Sequence, residues 1–134
     1  MRPRFLLDTH VLVRWLTESR RLSKEQARIM REVTRRHEPV AISAITLLEI
    51  AVLSGKRSVP GEPPVDKLLG ELESHPVVQI VPLTVEIAAE VAALGRSLRD
   101  PADRAIVATA RVGGLRFLTS DERIVESNLV PVIA

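Results

Sequence analysis

The sequence predicts an α/β protein, a three-layer α/β/α sandwich whose central sheet has five mostly parallel strands. Short apolar runs alternate with helical segments along the whole chain, which favours strands joined by helical crossovers. The runs are mostly apolar, as is typical of strands that are buried on both faces of a sheet. Only 2% of the residues are aromatic although 46% are hydrophobic, so the core must be aliphatic.

The five strands are predicted from short apolar runs that end at turn or polar residues. The first run stops at Asp8, and Pro82 closes the third. The predicted strands cover residues 4–7, 40–42, 77–81, 116–118 and 130–133.

The helices are predicted from apolar side chains at helical spacing and from capping residues. Ser43, Thr84 and Asp100 are suitable N-caps, whereas Gly55 and Gly114 mark helix ends. The predicted helices cover residues 9–17, 23–36, 44–53, 65–74, 84–98, 100–113 and 120–126. Residues 56–64 are rich in Gly, Pro and charge, which predicts a loop.

The length and composition fit one globular domain. A chain of 134 residues with 27% charged residues is long enough for one core and excludes a disordered protein. We find no repeat or linker and expect residues 1–134 to form a single domain. No segment has the pattern of a signal peptide, and the longest apolar stretch is too short to span a bilayer. We therefore expect a cytoplasmic protein without membrane contact.

Positive charge is concentrated near the N-terminus. Residues 1–37 hold ten Lys and Arg against four Asp and Glu, although the net charge of the chain is only +2. A basic surface attracts phosphate backbones. The alternative is an ordinary solvated helix face, and charge alone favours that alternative.

Five acidic residues follow strands or open helices. Asp8 ends the first strand and Asp121 follows the fourth, so both belong at the carboxyl edge of a parallel sheet, where ligands bind. Glu49 lies on the helix after the second strand, while Asp100 and Asp103 open a later helix. Helix capping is the alternative explanation for Asp8, Asp100 and Asp121.

Glu49 does not fit the capping explanation. Its helix is apolar nearly all round, so it should be buried, and no basic residue lies within a turn of it. An isolated buried carboxylate must protonate or find a cation. The alternatives are a partly exposed Glu on a helix flank or a salt bridge to a distant Arg.

The residue types of the cluster suit a hard cation such as Mg²⁺ or Mn²⁺. Cysteine is absent, and the three histidines are scattered without a His-x-x-x-His pair, so nothing supports a zinc site. A bound Mg²⁺ contacts phosphate oxygens and can activate water. The cluster therefore points towards phosphodiester chemistry.

Four motifs resemble, in order, those of the PIN domain family. They are residues 6–12 (LLDTHVL), 43–50 (SAITLLEI), 100–110 (DPADRAIVATA) and 118–121 (LTSD). The motifs span nearly the whole chain, whose length is also similar to that of the VapC-type toxins of type II toxin–antitoxin pairs. The resemblance implies an endoribonuclease that uses Mg²⁺ or Mn²⁺ and leaves a 5′-phosphate and a 3′-hydroxyl.

The resemblance also implies roles for individual residues. By motif position, the catalytic and metal-binding acids are Asp8, Glu49, Asp103 and Asp121. Asp103 is preferred to Asp100 because it stands at family spacing before residues 106–108. The supporting residues are Thr9, Asp100 and Thr119, and the candidates for RNA binding are Arg14, Arg28, Arg31 and Arg104. The implied partners are an RNA substrate, a cognate VapB-type antitoxin that covers the acidic groove, and a second copy in a homodimer.

Three other functions are alternatives to a toxin ribonuclease. A receiver domain also has an acidic pocket, but it needs paired acids after the first strand and a Lys after the fifth, which this chain lacks. A non-catalytic PIN-like binding module is disfavoured because all four acids are present. A PIN nuclease that acts in RNA processing outside toxin–antitoxin systems stays open.

Overall fold

The computed structural model of the chain describes residues 1–56 and 64–134, so the loop predicted for residues 56–64 lies almost wholly outside the described part. The strands there are β1 (Phe5–Leu7), β2 (Val40–Ser43), β3 (Val78–Val81), β4 (Arg116–Leu118) and β5 (Val132–Ile133). The α-helices are α1 (Thr9–Thr17), α2 (Lys24–Arg35), α3 (Ala44–Lys56), α4 (Val65–Ser74), α5 (Val85–Ala93), α6 (Pro101–Gly113) and α7 (Glu122–Ser127). None of the described helices is long and apolar enough to cross a membrane.

All neighbouring strands of the sheet are parallel, in the order β3-β2-β1-β4-β5. The predicted three-layer sandwich is confirmed, and its sheet is parallel throughout. From β1 the chain first builds outwards to β2 and β3, and later adds β4 and β5 on the other side. This reversal of direction opens a crevice at the carboxyl ends of β1 and β4, where ligands bind in open sheets.

Successive side chains of the strands point to opposite faces and build two cores. Leu7 and Ile42 face a core that α1 to α4 cover, with Met30 of α2 packed into it. Leu6 and Phe117 face a second core that α5 to α7 cover. Because both faces of the sheet are buried, the strands read as continuous apolar runs in the sequence.

Capping residues begin several helices and end α6 at the predicted places, whereas α3 continues through the predicted stop at Gly55 to Lys56. The Thr84 hydroxyl accepts the N–H of Ile87 at 3.1 Å, and the Asp100 carboxylate accepts the N–H of Asp103 at 3.0 Å. Gly114 follows α6 in the left-handed conformation, with φ at 63°, which glycine adopts without steric cost. These local signals fix where α6 starts, and with it the position of Asp103.

The prediction that the helix of Glu49 is buried nearly all round is wrong. The side chains of Leu48, Leu53 and Val52 on α3 are 60%, 54% and 47% exposed. In the described part of the chain α3 packs on β2, α1, α4 and α6, which leaves one apolar face uncovered. The hydrophobicity of this helix therefore marks an exposed apolar patch, formed by Leu48, Val52 and Leu53, in addition to a buried face.

A second difference concerns the helix predicted to run from residue 84 to 98. The structure ends α5 at Ala93, and a turn with Gly95 at a φ of 76° follows. The apolar side chains of Leu94 and Leu98 still pack into the second core, which is why the sequence pattern continues beyond the helix.

We predict that Phe117→Ala lowers the free energy of unfolding by about 3–5 kcal/mol, because it empties a fully buried position of the second core. Urea unfolding measured by circular dichroism tests this. Val85→Ala is the control, since Val85 is 88% exposed and its truncation should change the free energy by less than about 0.5 kcal/mol. Equal losses in the two variants would contradict the two-core arrangement.

Candidate active site

A cavity of about 410 Å³ opens at the carboxyl edge of the sheet. Asp8, Glu49, Asp103 and Asp121 all line this acidic cavity. They come from the end of β1, from α3, from the first turn of α6 and from the loop after β4. The remaining lining residues are Thr9, His10, Val13, Arg14, Arg21 and Leu53. The fold thus gathers four acids that are spread over the whole sequence.

The Asp8 carboxylate accepts hydrogen bonds from residues just after β1 and β4. Its Oδ1 accepts the N–H of Thr9 at 2.9 Å, so Asp8 is also the N-cap of α1. Its Oδ2 accepts the hydroxyl of Thr119 at 2.7 Å. The Thr119 oxygen in turn accepts the N–H of Asp121 at 3.1 Å. A single buried hydroxyl therefore connects two acids of the cavity.

Within the described ranges, Glu49 is aligned by hydroxyl groups and not by a basic residue. Thr9 Oγ1 donates to Glu49 Oε1 at 2.5 Å, and Thr46 Oγ1 lies 3.1 Å from Thr9 Oγ1. Because Thr9 has one hydroxyl proton, Thr46 is the donor in the second contact. Burial raises the pKa of Glu49, with Asp8 and Asp100 adding to the rise and the Thr9 hydrogen bond opposing it.

Asp103 carries a polar atom without a partner. Its Oδ2 is buried and accepts no hydrogen bond from the described part of the chain. Burial, together with the charges of Asp100, Asp8 and Asp121, raises the pKa of Asp103 to about 6, and Arg123 opposes the rise. A buried carboxylate oxygen without a donor is costly unless a proton or a cation meets it.

Asp121 is paired with Arg123 at the start of α7. Asp121 Oδ1 accepts the backbone N–H of Arg123 at 3.0 Å, and the guanidinium donates to Oδ2 at 2.9 Å. The guanidinium hydrogen bond is the main reason that the pKa of Asp121 is lowered. The same guanidinium nitrogen lies 3.6 Å from Asp103 Oδ2. Arg123 therefore contacts two of the four acids.

His10 joins α1 to the loop after β4. Its Nε2 accepts the N–H of Ser120 at 3.0 Å, so the neutral ring carries its proton on Nδ1, which lies 3.4 Å from Asp8 Oδ2. Burial lowers the pKa of His10 and Arg14 adds to this effect, while Asp8 and Asp121 oppose it. We conclude that His10 is a neutral connector in this network.

The acids are close together but do not form a finished metal cage. Among the described residues, no three His, Asp or Glu side chains are gathered tightly enough to hold a metal ion. Asp8 and Glu49 accept threonine hydroxyls, and Asp121 accepts Arg123. Neighbouring carboxylates repel each other, which explains why Asp8, Glu49 and Asp121 each accept a hydrogen bond from a side chain of the protein. Rotation of these side chains is needed before they share a cation.

The basic residues predicted to bind RNA lie in different places. Arg14 lines the acidic cavity, as does Arg21, which sequence reasoning did not single out. Arg28 and Arg31 line a separate groove of about 1060 Å³ beside α2, and Arg28 is paired there with Glu25. The structure thus brings Arg14 to the acids but does not bring Arg28 or Arg31 to them.

Arg104 has a structural role instead of the predicted contact with RNA. Its guanidinium donates to the carbonyls of Val91, Gly95 and Leu98 at 2.7, 2.6 and 2.6 Å. These bonds satisfy carbonyl groups at the end of α5 and in the turn after it. A guanidinium committed to three carbonyls has little left to offer a phosphate.

Two further residues of the network were missed by sequence reasoning. Thr46 lies three residues before Glu49 and therefore on the same side of α3, so the helical spacing was an available signal. Arg123 follows Asp121 by two residues, and its direction depends on where α7 begins. Only the folded structure shows that it turns towards Asp103.

We predict that Asp103→Asn stabilises the protein in the presence of EDTA at about pH 7.5. The unfolded chain ionises Asp103 near pH 3.8 and the folded chain near pH 6, so the ionised carboxylate costs stability that is fully present above about pH 6 and is relieved as the pH falls towards 3.8. Thermal unfolding should show a midpoint a few degrees higher for the variant. The difference should shrink at about pH 4, and a lower midpoint at about pH 7.5 would contradict the assignment.

Comparison with known proteins gives a consistent result. The sequence pattern of the PIN domain matches residues 5–127. The chain is 36% identical over 120 residues to Ribonuclease VapC22 of Mycobacterium tuberculosis. These residues cover 89% of this chain and 88% of that protein.

Solved structures share the fold. VapBC2 from Rickettsia felis, bound to a DNA fragment from its promoter, superposes with a TM-score of 0.72 at 14% identity and covers 96% of both chains. A toxin–antitoxin complex from Klebsiella pneumoniae gives a TM-score of 0.63 at 20% identity and covers 97% of this chain and 96% of that one. The PIN domain pattern covers nearly the whole length, residues 5–127, and the chain therefore belongs to the PIN domain family.

Proposed function

We propose that the chain is an endoribonuclease that depends on Mg²⁺ or Mn²⁺, and that it is the toxin of a toxin–antitoxin pair. The observation that carries the proposal is the acidic cavity, where four carboxyl groups meet at the reversal point of a parallel sheet. The similarity to Ribonuclease VapC22 supports RNA as the substrate.

The residues of the cavity fit a hard divalent cation. All four candidate ligands offer carboxylate oxygens, the donors that Mg²⁺ and Mn²⁺ prefer. The buried Asp103 Oδ2 accepts no hydrogen bond from the residues that the structure describes, and a cation would satisfy it. In our proposal Asp8, Glu49 and Asp103 are the main ligands of the cation, and Asp121 is a fourth ligand that holds it less tightly. When bound, the cation supplies positive charge that polarises a phosphate and lowers the pKa of water.

The protein groups around the acids prepare the site for hydrolysis. Thr119 and the Thr46–Thr9 relay hold Asp8 and Glu49 in the cavity, and the two carboxylates rotate away from these hydroxyls when they share a cation. In our proposal a carboxylate of the cavity accepts a proton from the attacking water. The water oxygen bonds to phosphorus, the bond from phosphorus to the 3′-oxygen breaks, and the 3′-oxygen takes up a proton to become the 3′-hydroxyl.

Substrate binding requires positive charge near the acids. Arg14 and Arg21 line the same cavity, and in our proposal they contact the RNA backbone on either side of the scissile phosphate. Contacts of this kind are electrostatic and carry little sequence information. The target RNA is therefore selected by its shape or by its loops.

We predict that the purified chain cleaves RNA in Mg²⁺ or Mn²⁺, and that EDTA stops the cleavage. Asp8→Asn should reduce the rate by about 100-fold or more, since even residues that only orient metal ligands contribute about 10–100-fold. Denaturing gel electrophoresis of a labelled RNA measures the rate. The products should carry a 5′-phosphate and a 3′-hydroxyl.

The matched control is Glu73→Gln, which removes an exposed acid on α4 that does not line the cavity. Its rate should equal that of the natural chain. Circular dichroism must show that Asp8→Asn is folded. If folded Asp8→Asn cleaves RNA at the natural rate, the assignment of the site is wrong.

The toxin proposal requires a partner that covers the site. Leu53 belongs to the exposed apolar patch of α3 and also lines the acidic cavity, so an apolar surface adjoins the acids. Such a patch suits a protein segment that blocks the cavity. The Klebsiella pneumoniae relative is a toxin–antitoxin complex, which supports an antitoxin as that segment. A homodimer is a further part of the proposal, since a second copy would also cover apolar surface.

We predict that expression of the chain alone arrests growth of a bacterial host, and that Asp8→Asn relieves the arrest. Growth curves after induction measure the effect, with Glu73→Gln expected to remain toxic. Wild-type chain that cleaves RNA in vitro but is harmless in cells would favour a PIN nuclease of RNA processing, the alternative function.

A further inference from the structure

Arg123 is a cation of this chain that already contacts the acidic cavity. Its Nη2 lies 2.9 Å from Asp121 Oδ2 and 3.6 Å from Asp103 Oδ2. Its Nε donates a longer hydrogen bond, of 3.3 Å, to Asp121 Oδ1. The guanidinium thus bridges two carboxyl groups that come from the loop after β4 and from α6.

The contacts of Arg123 use the oxygen atoms that a divalent cation would need. Asp103 Oδ2 is buried and accepts no hydrogen bond in the described part of the chain, so Arg123 is its nearest positive charge there. Arg123 lowers the pKa of Asp121 and opposes the rise in the pKa of Asp103. It therefore offsets part of the repulsion among the acids.

The contact is also easy to break. The Arg123 side chain is 71% exposed and reaches the acids from the short helix α7 at the edge of the cavity. Its hydrogen bonds within the described residues go to Asp121. Because most of the Arg123 side chain lies in water, displacement leaves its charge solvated, whereas the buried Asp103 Oδ2 then needs another cation.

We propose that Arg123 is a resident counter-ion of the acidic cavity that competes with the divalent cation for Asp103 and Asp121. The two cations exclude each other from the same oxygens, so binding of the metal ion requires the guanidinium to move away from Asp103. The proposal rests on the proposed function, because it concerns the metal site of that function. In this proposal the side-chain arrangement described above, in which Arg123 contacts Asp121 and Asp103, is the one that the divalent cation disrupts when it binds.

The test measures Mn²⁺ binding to the free protein by isothermal titration calorimetry, without RNA. Arg123→Gln removes the competing charge and should tighten Mn²⁺ binding by about threefold or more, because an opposing charge no longer has to leave. Arg123→Lys keeps the charge but loses the two-pronged contact, and its affinity should lie between the two.

Arg35→Gln is the matched control. Arg35 is an exposed arginine on α2 that is paired with Glu32 at 2.8 Å, and it does not line the acidic cavity. If the proposal is correct, this variant changes the Mn²⁺ affinity by less than about twofold, since it removes only a screened surface charge. Equal tightening in Arg35→Gln and Arg123→Gln would overturn the proposal, because it would show an effect of net charge alone.

Thermal unfolding gives a second measurement. Without metal, Arg123→Gln should melt at a lower temperature than the natural chain, because the acids lose their counter-ion. With saturating Mn²⁺ the difference in melting temperature should disappear. Both proteins are then metal-bound, and Arg123 no longer serves as the counter-ion of the acids in either of them. Unchanged or weaker Mn²⁺ binding in Arg123→Gln, or failure of the natural chain to bind Mn²⁺, would overturn the proposal. Failure of RNA cleavage with these binding results intact would contradict the proposed function alone.

Discussion

The repulsion among four carboxyl groups in one small cavity is the constraint on which the rest of the site depends. The fold places Asp8, Glu49, Asp103 and Asp121 around about 410 Å³ of space. Thr119, Thr9 and Arg123 donate hydrogen bonds to three of them, and a buried oxygen of Asp103 has no donor among the described residues. A protein selected for stability alone would not keep such an oxygen, so the arrangement indicates a function that uses it.

The architecture explains how distant residues come to share this space. Parallel strands bring their carboxyl ends to one edge, and the reversal of strand order beside β1 keeps that edge open between β1 and β4. Asp8 leaves the first of these strands, while Thr119 and Asp121 leave the second. The hydrogen bond from Thr119 to Asp8 therefore joins the two halves of the sheet at the point where chemistry is expected.

One aspartate can cap a helix and also line the acidic cavity. Asp8 and Asp121 are the N-caps of α1 and α7 and also line the cavity, whereas Asp100 caps α6 and does not line it. A cap places its carboxylate at the positive end of a helix, which favours the ionised form that a cation would need. The chain belongs to the PIN domain family, and this double use of caps shows how the chain builds its acidic edge from ordinary helix starts.

The sequence by itself determined the fold class, the strands, most helix starts and the four acids, because apolar periodicity and capping are local properties. It did not determine how exposed a helix face is or where a side chain points. The sequence predicts that α3 is buried, but Leu48 is exposed, and Arg104, a candidate for RNA binding, instead holds the end of α5. The Thr46–Thr9–Glu49 relay and the turn of Arg123 towards Asp103 were decided only by the tertiary structure. Each joins residues whose separation along the chain has no fixed distance in space until the elements pack.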